Sequence, residues 1–165
     1  MVDADFLITN QIGCGLAVTT ADCVPVVIYD PSSQAVALVH AGWKGIMADI
    51  ISAALNKMKQ LYNSDMKKVE IFIGPAARKC CYEIQADMHE LFKKEFPLFD
   101  AIFNYTKDKI FLDLVMCVQY RLVQNNVLMK NIYQPVTCCT ICNISYCSYR
   151  REKNQLRNIN VVLLF

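Results

Sequence analysis

Val24 to Asp30 and Ala35 to His40 are two nearly unbroken apolar runs, and they flank Pro31-Ser32-Ser33. Short runs rich in Val, Ile and Ala read as buried strands, and a proline that presets one backbone angle marks the corner of a hairpin. The spacing therefore predicts strands within 4–9 and 16–40, with His40 delivered at the end of the second hairpin strand. Two glycines bracket Trp43, the only tryptophan, just after it. Beyond that turn, Ile46, Ile50, Ile51, Ala54, Leu55, Met58 and Leu61 recur on one face and predict a single amphipathic helix, broken at Asn63-Ser64-Asp65.

Val69 to Ile73 reads as a further buried strand closed by Gly74-Pro75. Met88, Leu91, Phe92 and Glu95 stand at helical spacing in Ala86 to Glu95, and Pro97 stops that helix. Asp113 is placed to cap a third helix reaching Asn125, with Leu114, Cys117, Val118 and Leu122 inward. Residues 132–137 and 159–164 are candidate closing strands. Strands and helices mix without strict alternation. A mixed α/β or α+β fold is expected, a layered sheet with flanking helices forming one domain over residues 1–165.

Composition narrows the function classes. The chain has 165 residues and a formal charge of +2, so no strong field favours nucleic acid or an anionic membrane. Charged residues interrupt every apolar stretch before the roughly 18 residues that a spanning helix needs. The N-terminus shows neither a secretory signal nor an Arg-rich transit peptide, so a soluble, cytoplasmic protein is expected. Nine cysteines in such a setting read as reduced thiols rather than a disulfide framework. Two histidines, His40 and His89, exclude any multi-metal centre built on imidazole.

If the hairpin strands pair antiparallel, His40 returns to the neighbourhood of Cys23. Two chemistries are then open. Thiolate and imidazole could be zinc ligands, or His40 could activate the Cys23 thiol as a nucleophile in a metal-free cysteine hydrolase.

Several further motifs occur in order: Asp3-Ala4-Asp5 with Leu7-Ile8-Thr9, Thr20-Ala21-Asp22-Cys23-Val24-Pro25, His40-Ala41-Gly42-Trp43-Lys44-Gly45, Ile73-Gly74-Pro75, Cys80-Cys81-Tyr82-Glu83, Cys139-Thr140 and Ser148-Tyr149-Arg150-Arg151. Together they resemble the YfiH-like family, long labelled multicopper polyphenol oxidase or laccase and now regarded as zinc-dependent purine nucleoside phosphorylases with adenosine deaminase activity. The resemblance spans nearly the whole chain. It implies a catalytic zinc held by Cys23, His40 and a third, earlier histidine in a His-Gly motif that has no counterpart here, as if the N-terminal part of the family pattern were missing. An inactive remnant is the alternative this leaves open.

The resemblance also implies the substrates, a purine nucleoside and phosphate. Asp22 and Glu83 are its candidate proton shuttles. Lys44, which stands where the family more often has arginine, is expected to orient phosphate together with Arg78, Arg150 and Arg151. The laccase label is incompatible with the composition, because a four-copper relay needs many more histidines than two. Copper is expected at Cys23 and His40 only adventitiously. His89 matches no ligand motif and reads as a surface or packing residue. Cys138-Cys139-Thr140-Ile141-Cys142, with Cys147 beyond, could suggest a metal or redox site, but no context for four closed ligands is evident in the sequence.

Overall fold

A computed structural model of the chain describes residues 4–134 and 139–165. Its first half contains strands β1 (Phe6–Thr9), β2 (Gly15–Thr20), β3 (Val24–Asp30) and β4 (Ala35–Ala41), helices α1 (Trp43–Met47) and α2 (Ile50–Tyr62), and strand β5 (Glu70–Ile73). The second half adds β6 (Glu83–Ile84), α3 (Ala86–Glu95), β7 (Phe103–Thr106), β8 (Lys109–Leu112), α4 (Leu114–Gln124), β9 (Ile132–Tyr133), α5 (Tyr149–Glu152) and β10 (Asn158–Leu163).

The predicted hairpin forms as β3 and β4, with Pro25 opposite His40 and Asp30 opposite Ala35. At its corner the Asp30 carboxylate accepts the Ser32 amide at 2.9 Å and the Ser33 hydroxyl at 2.8 Å. These strands are central to a five-stranded sheet of order β1-β4-β3-β5-β9, antiparallel except for the β5–β9 pair.

Side chains alternate between the two faces of a strand, so both faces of β3 and β4 can be assigned from sequence position. Val24, Val26 and Ile28, with Ala37, Val39 and Ala41, pack into the core shared with α2 and α4. On the other face, Val36 and Leu38 pack with Val27 and Tyr29 against Leu16, Val18 and Val162 of a two-stranded β2–β10 ribbon. The result is helices on one side of the sheet and a ribbon on the other. The ribbon's outer side presents Ile159, Val161 and Leu163 to solvent.

Three features depart from the sequence expectations. The single helix from Ile46 to Leu61 is two helices, because Asp49 adopts a left-handed φ of 55° between α1 and α2. The β7–β8 hairpin, joined to β6 in a separate three-stranded sheet, was not anticipated. The closing strand expected at 132–137 is seen as Ile132–Tyr133, and residues 135–138 lie outside the described residues. The predicted cap is present: Asp113 Oδ1 accepts the Met116 amide at 3.1 Å. Among the described residues, no helix is long and apolar enough to cross a membrane.

Candidate functional site

Cys23 immediately precedes β3, and Val24 pairs with Ala41. Continuing that register places Cys23 across from Gly42, on the same sheet face as Pro25 and His40 and diagonal to the histidine. Diagonal neighbours have backbones about 7–8 Å apart, with side chains able to approach more closely. Both residues line one pocket of about 290 Å³ with Asp5, Gly42, Trp43, Lys44 and Gly45. A side chain at position 42 would begin 3.0 Å from the Cys23 sulfur, so glycine there leaves the sulfur its room.

Asp5 is a residue whose role the sequence did not reveal. Its carbonyl accepts the His40 amide at 2.8 Å, and its carboxylate lies 3.4 Å from His40 Nδ1. A carboxylate on one ring nitrogen is the usual support for a histidine that ligates metal through the other.

The Cys23 thiol is pushed up to about 11 by burial, with the Asp22 and Asp5 carboxylates adding to the effect and the Arg157 guanidinium opposing it. Without a metal, it is protonated at neutral pH, whereas a nucleophilic cysteine needs its thiolate. Among the described residues, Cys23 and His40 share no hydrogen bond, and the nearest partner of the His40 ring is Asp5. This arrangement favours a metal, which would displace the thiol proton, over a cysteine–histidine hydrolase. The donor set, one sulfur and one imidazole, suits a borderline divalent metal ion.

Asp22, next to Cys23 in sequence, has its carboxylate engaged by the C-terminal segment. It is 5% exposed, has a left-handed φ of 89°, and commits both carboxylate oxygens: Oδ1 to the Thr140 hydroxyl at 2.7 Å and Oδ2 to the Arg150 amide at 2.8 Å. Its carbonyl accepts the Ala77 amide. Asp22 therefore ties the Cys23 turn to the C-terminal segment.

The four cationic candidates divide in two. Arg78 donates from Nε to both oxygens of Asp113 at 2.8 and 2.9 Å, and Arg151 donates to the carbonyls of Thr140, Ile141, Asn143 and Tyr146. Those groups hold loops. Arg150 is exposed, lies 4.5 Å over the Tyr82 ring and donates to the Glu83 carbonyl. Lys44 is exposed on the pocket, with Nζ 5.6 Å from the Trp43 ring centre. The Glu83 carboxylate pairs with Lys109 at 2.7 Å.

His89 is a packing residue, 9% exposed, with Nε2 3.0 Å from the Tyr105 hydroxyl and its ring edge-on to Phe103.

A second cluster lies elsewhere. The sulfurs of Cys80, Cys81, Cys139 and Cys142 all fall within 4.8 Å of one another, a group able to hold a metal ion. It is the one group of three or more such donors among the described residues. At Cys139, burial is outweighed by hydrogen bonds from the amides of Cys142, Arg78 and Ile141 and from the Cys80 side chain, which leave the thiol below its ordinary range. Cys147 belongs instead to a link with Asn158, whose Oδ1 accepts its amide at 2.9 Å. Cys138 lies outside the described residues.

The family model described as multi-copper polyphenol oxidoreductase laccase matches residues 1–164, and the chain belongs to that family. Among its relatives is a purine nucleoside phosphorylase of Clostridium acetobutylicum, 35% identical over 92% of this chain and 63% of the relative. Another is the adenosine deaminase RL5 of an unknown prokaryotic organism, 32% identical over 89% of this chain and 56% of the relative. The solved structure of the Bacillus licheniformis hypothetical protein YfiH superposes with a TM-score of 0.89 at 30% identity, covering 98% of this chain and 61% of that one. The mixed α+β fold is therefore the YfiH fold, and the chain spans about three fifths of the length of these relatives.

Proposed function

We propose that this chain carries the catalytic half-site of a zinc-dependent purine nucleoside phosphorylase that also deaminates adenosine. The observation that carries the reading is the placement of Cys23 and His40 on one face of the β3–β4 hairpin, lining a single pocket. The names borne by the relatives supply the substrate class. In this reading Cys23 and His40 are two of the zinc ligands, and the family's third, a histidine in a His-Gly motif, has no counterpart among the 165 residues. Bound zinc would supply a Lewis acid at the pocket.

The other residues bind and position. Asp5 orients the His40 ring, and Asp22 fixes the turn that presents Cys23. Lys44 and Arg150 are the cations left to hold phosphate, Arg150 being steadied by Tyr82 and the Glu83 carbonyl. Glu83, adjacent to Tyr82 and paired with Lys109, is the carboxylate this reading assigns to proton exchange. In phosphorolysis a phosphate oxygen bonds to C1′ of the ribose, the glycosidic C–N bond breaks, and the departing base takes a proton. In deamination, adenosine and water give inosine and ammonia.

Chromatography of adenosine or inosine incubated with the zinc-loaded chain tests this. Phosphate-dependent release of free base and ribose 1-phosphate is expected, falling to background in Cys23→Ser. Asp5→Asn should weaken zinc binding by about 10–100-fold. No release, or release that survives Cys23→Ser, would overturn the reading and favour an inactive remnant.

A further inference from the structure

We infer that Cys80, Cys81, Cys139 and Cys142 form a second metal site, a closed tetrathiolate for one structural zinc ion, separate from the Cys23–His40 pair. Zinc holds four thiolates at about 2.3 Å in a tetrahedron, which sets the sulfurs about 3.8 Å apart. The Cys80 and Cys142 sulfurs are 3.9 Å apart, and all four lie within 4.8 Å of one another. Small side-chain rotations close such a set around an ion.

The local backbone is shaped for this. Cys139-Thr140-Ile141-Cys142 has the two-residue spacing with which one turn presents two sulfurs to a metal. The Cys142 sulfur lies 3.8 Å from the Cys139 carbonyl, so the turn folds its second thiol back over its first residue. Binding needs no oxidant: four S–H protons leave to solvent and four Zn–S bonds form. The resulting site carries two net negative charges. Arg151 lies against it, donating to the carbonyls of Thr140 and Ile141 between the two ligands.

All four positions are filled by protein, so none is open for water or substrate and the role is structural. The ion would staple two segments far apart in sequence. One carries Tyr82, on which Arg150 stacks, and the other carries Thr140, which donates to Asp22 beside Cys23. Zinc here would fix the walls of the proposed nucleoside site without touching the reacting atoms.

The test is metal content and cobalt substitution in the full chain and in a Cys23→Ser/His40→Ala double variant. The double variant is expected to retain one zinc per chain, and its cobalt form should show the intense visible bands of a tetrahedral tetrathiolate. Cys80→Ser and Cys142→Ser should each abolish those bands. Titrating the wild-type chain with an organomercurial should release this zinc as four thiols react, a readout that does not depend on a variant folding. A zinc-free double variant, an iron ion in place of zinc, bands indifferent to Cys142→Ser, or a Cys80–Cys142 disulfide in the reduced preparation would each overturn the inference. Loss of nucleoside activity alone would not imitate these results, because none of them reads catalysis.

Discussion

Replacing Arg78 by alanine is expected to destabilise the chain by about 3–5 kcal/mol, read as a fall in the urea midpoint. Asp113, its partner, is 1% exposed and also caps α4. With the guanidinium gone, the carboxylate would keep only the Met116 amide as a donor and would be a buried, uncompensated charge. The cost comes from that orphaned charge rather than from the attraction lost. The residue 78 carbonyl, which accepts the Cys81 and Tyr82 amides, is retained in Arg78→Ala, so the loss reads the side-chain pair alone. Arg78→Lys restores the charge without the planar fork and should recover part of the loss. An unchanged midpoint in Arg78→Ala would mean that Asp113 is not charged in the folded chain.

Asp22→Ala is expected to cost about 2–4 kcal/mol, because one buried donor and one part-buried donor lose their acceptor at once, a fully buried unsatisfied group costing about 1–3 kcal/mol and a part-buried one less. The donors are the Thr140 hydroxyl and the Arg150 amide, both in the C-terminal segment. Alanine also tolerates the φ of 89° poorly. Asp22→Gly removes that strain while leaving both donors orphaned, so comparing the two variants separates backbone from hydrogen-bond effects. Hydrogen exchange at the Arg150 amide should accelerate in both. Protection retained at that amide would show that Asp22 does not tie the turn to this segment.

The fold was legible where one rule governed a stretch of chain. The hairpin and the convergence of Cys23 and His40 followed from strand alternation and a proline corner, with no long-range information needed. The α1–α2 break was hidden because the apolar period continues through it while Asp49 alone takes a left-handed angle. The β7–β8 hairpin was hidden because Asn104, Thr106, Lys107 and Asp108 dilute its alternation. Charge identity misled at the arginines: nothing in Arg78 or Arg151 distinguishes a phosphate ligand from a clamp until Asp113 or the 140–146 carbonyls are seen beside it.

The thiol cluster illustrates the same limit. Cys139 and Cys142 have a recognisable spacing, but the adjacent pair Cys80-Cys81 does not, and only the folded chain brings the two segments together. The signal available in sequence was the combination of a C-x-x-C and a second cysteine pair in a chain expected to keep its thiols reduced.

Cadmium NMR of the wild-type chain tests most directly whether Cys23 and His40 jointly hold a metal. Two bound-cadmium resonances are predicted, one in the range of four thiolates and one shifted toward nitrogen and oxygen ligands. Cys23→Ser and His40→Ala should each remove or move only the second. A single resonance that neither substitution disturbs would contradict the account.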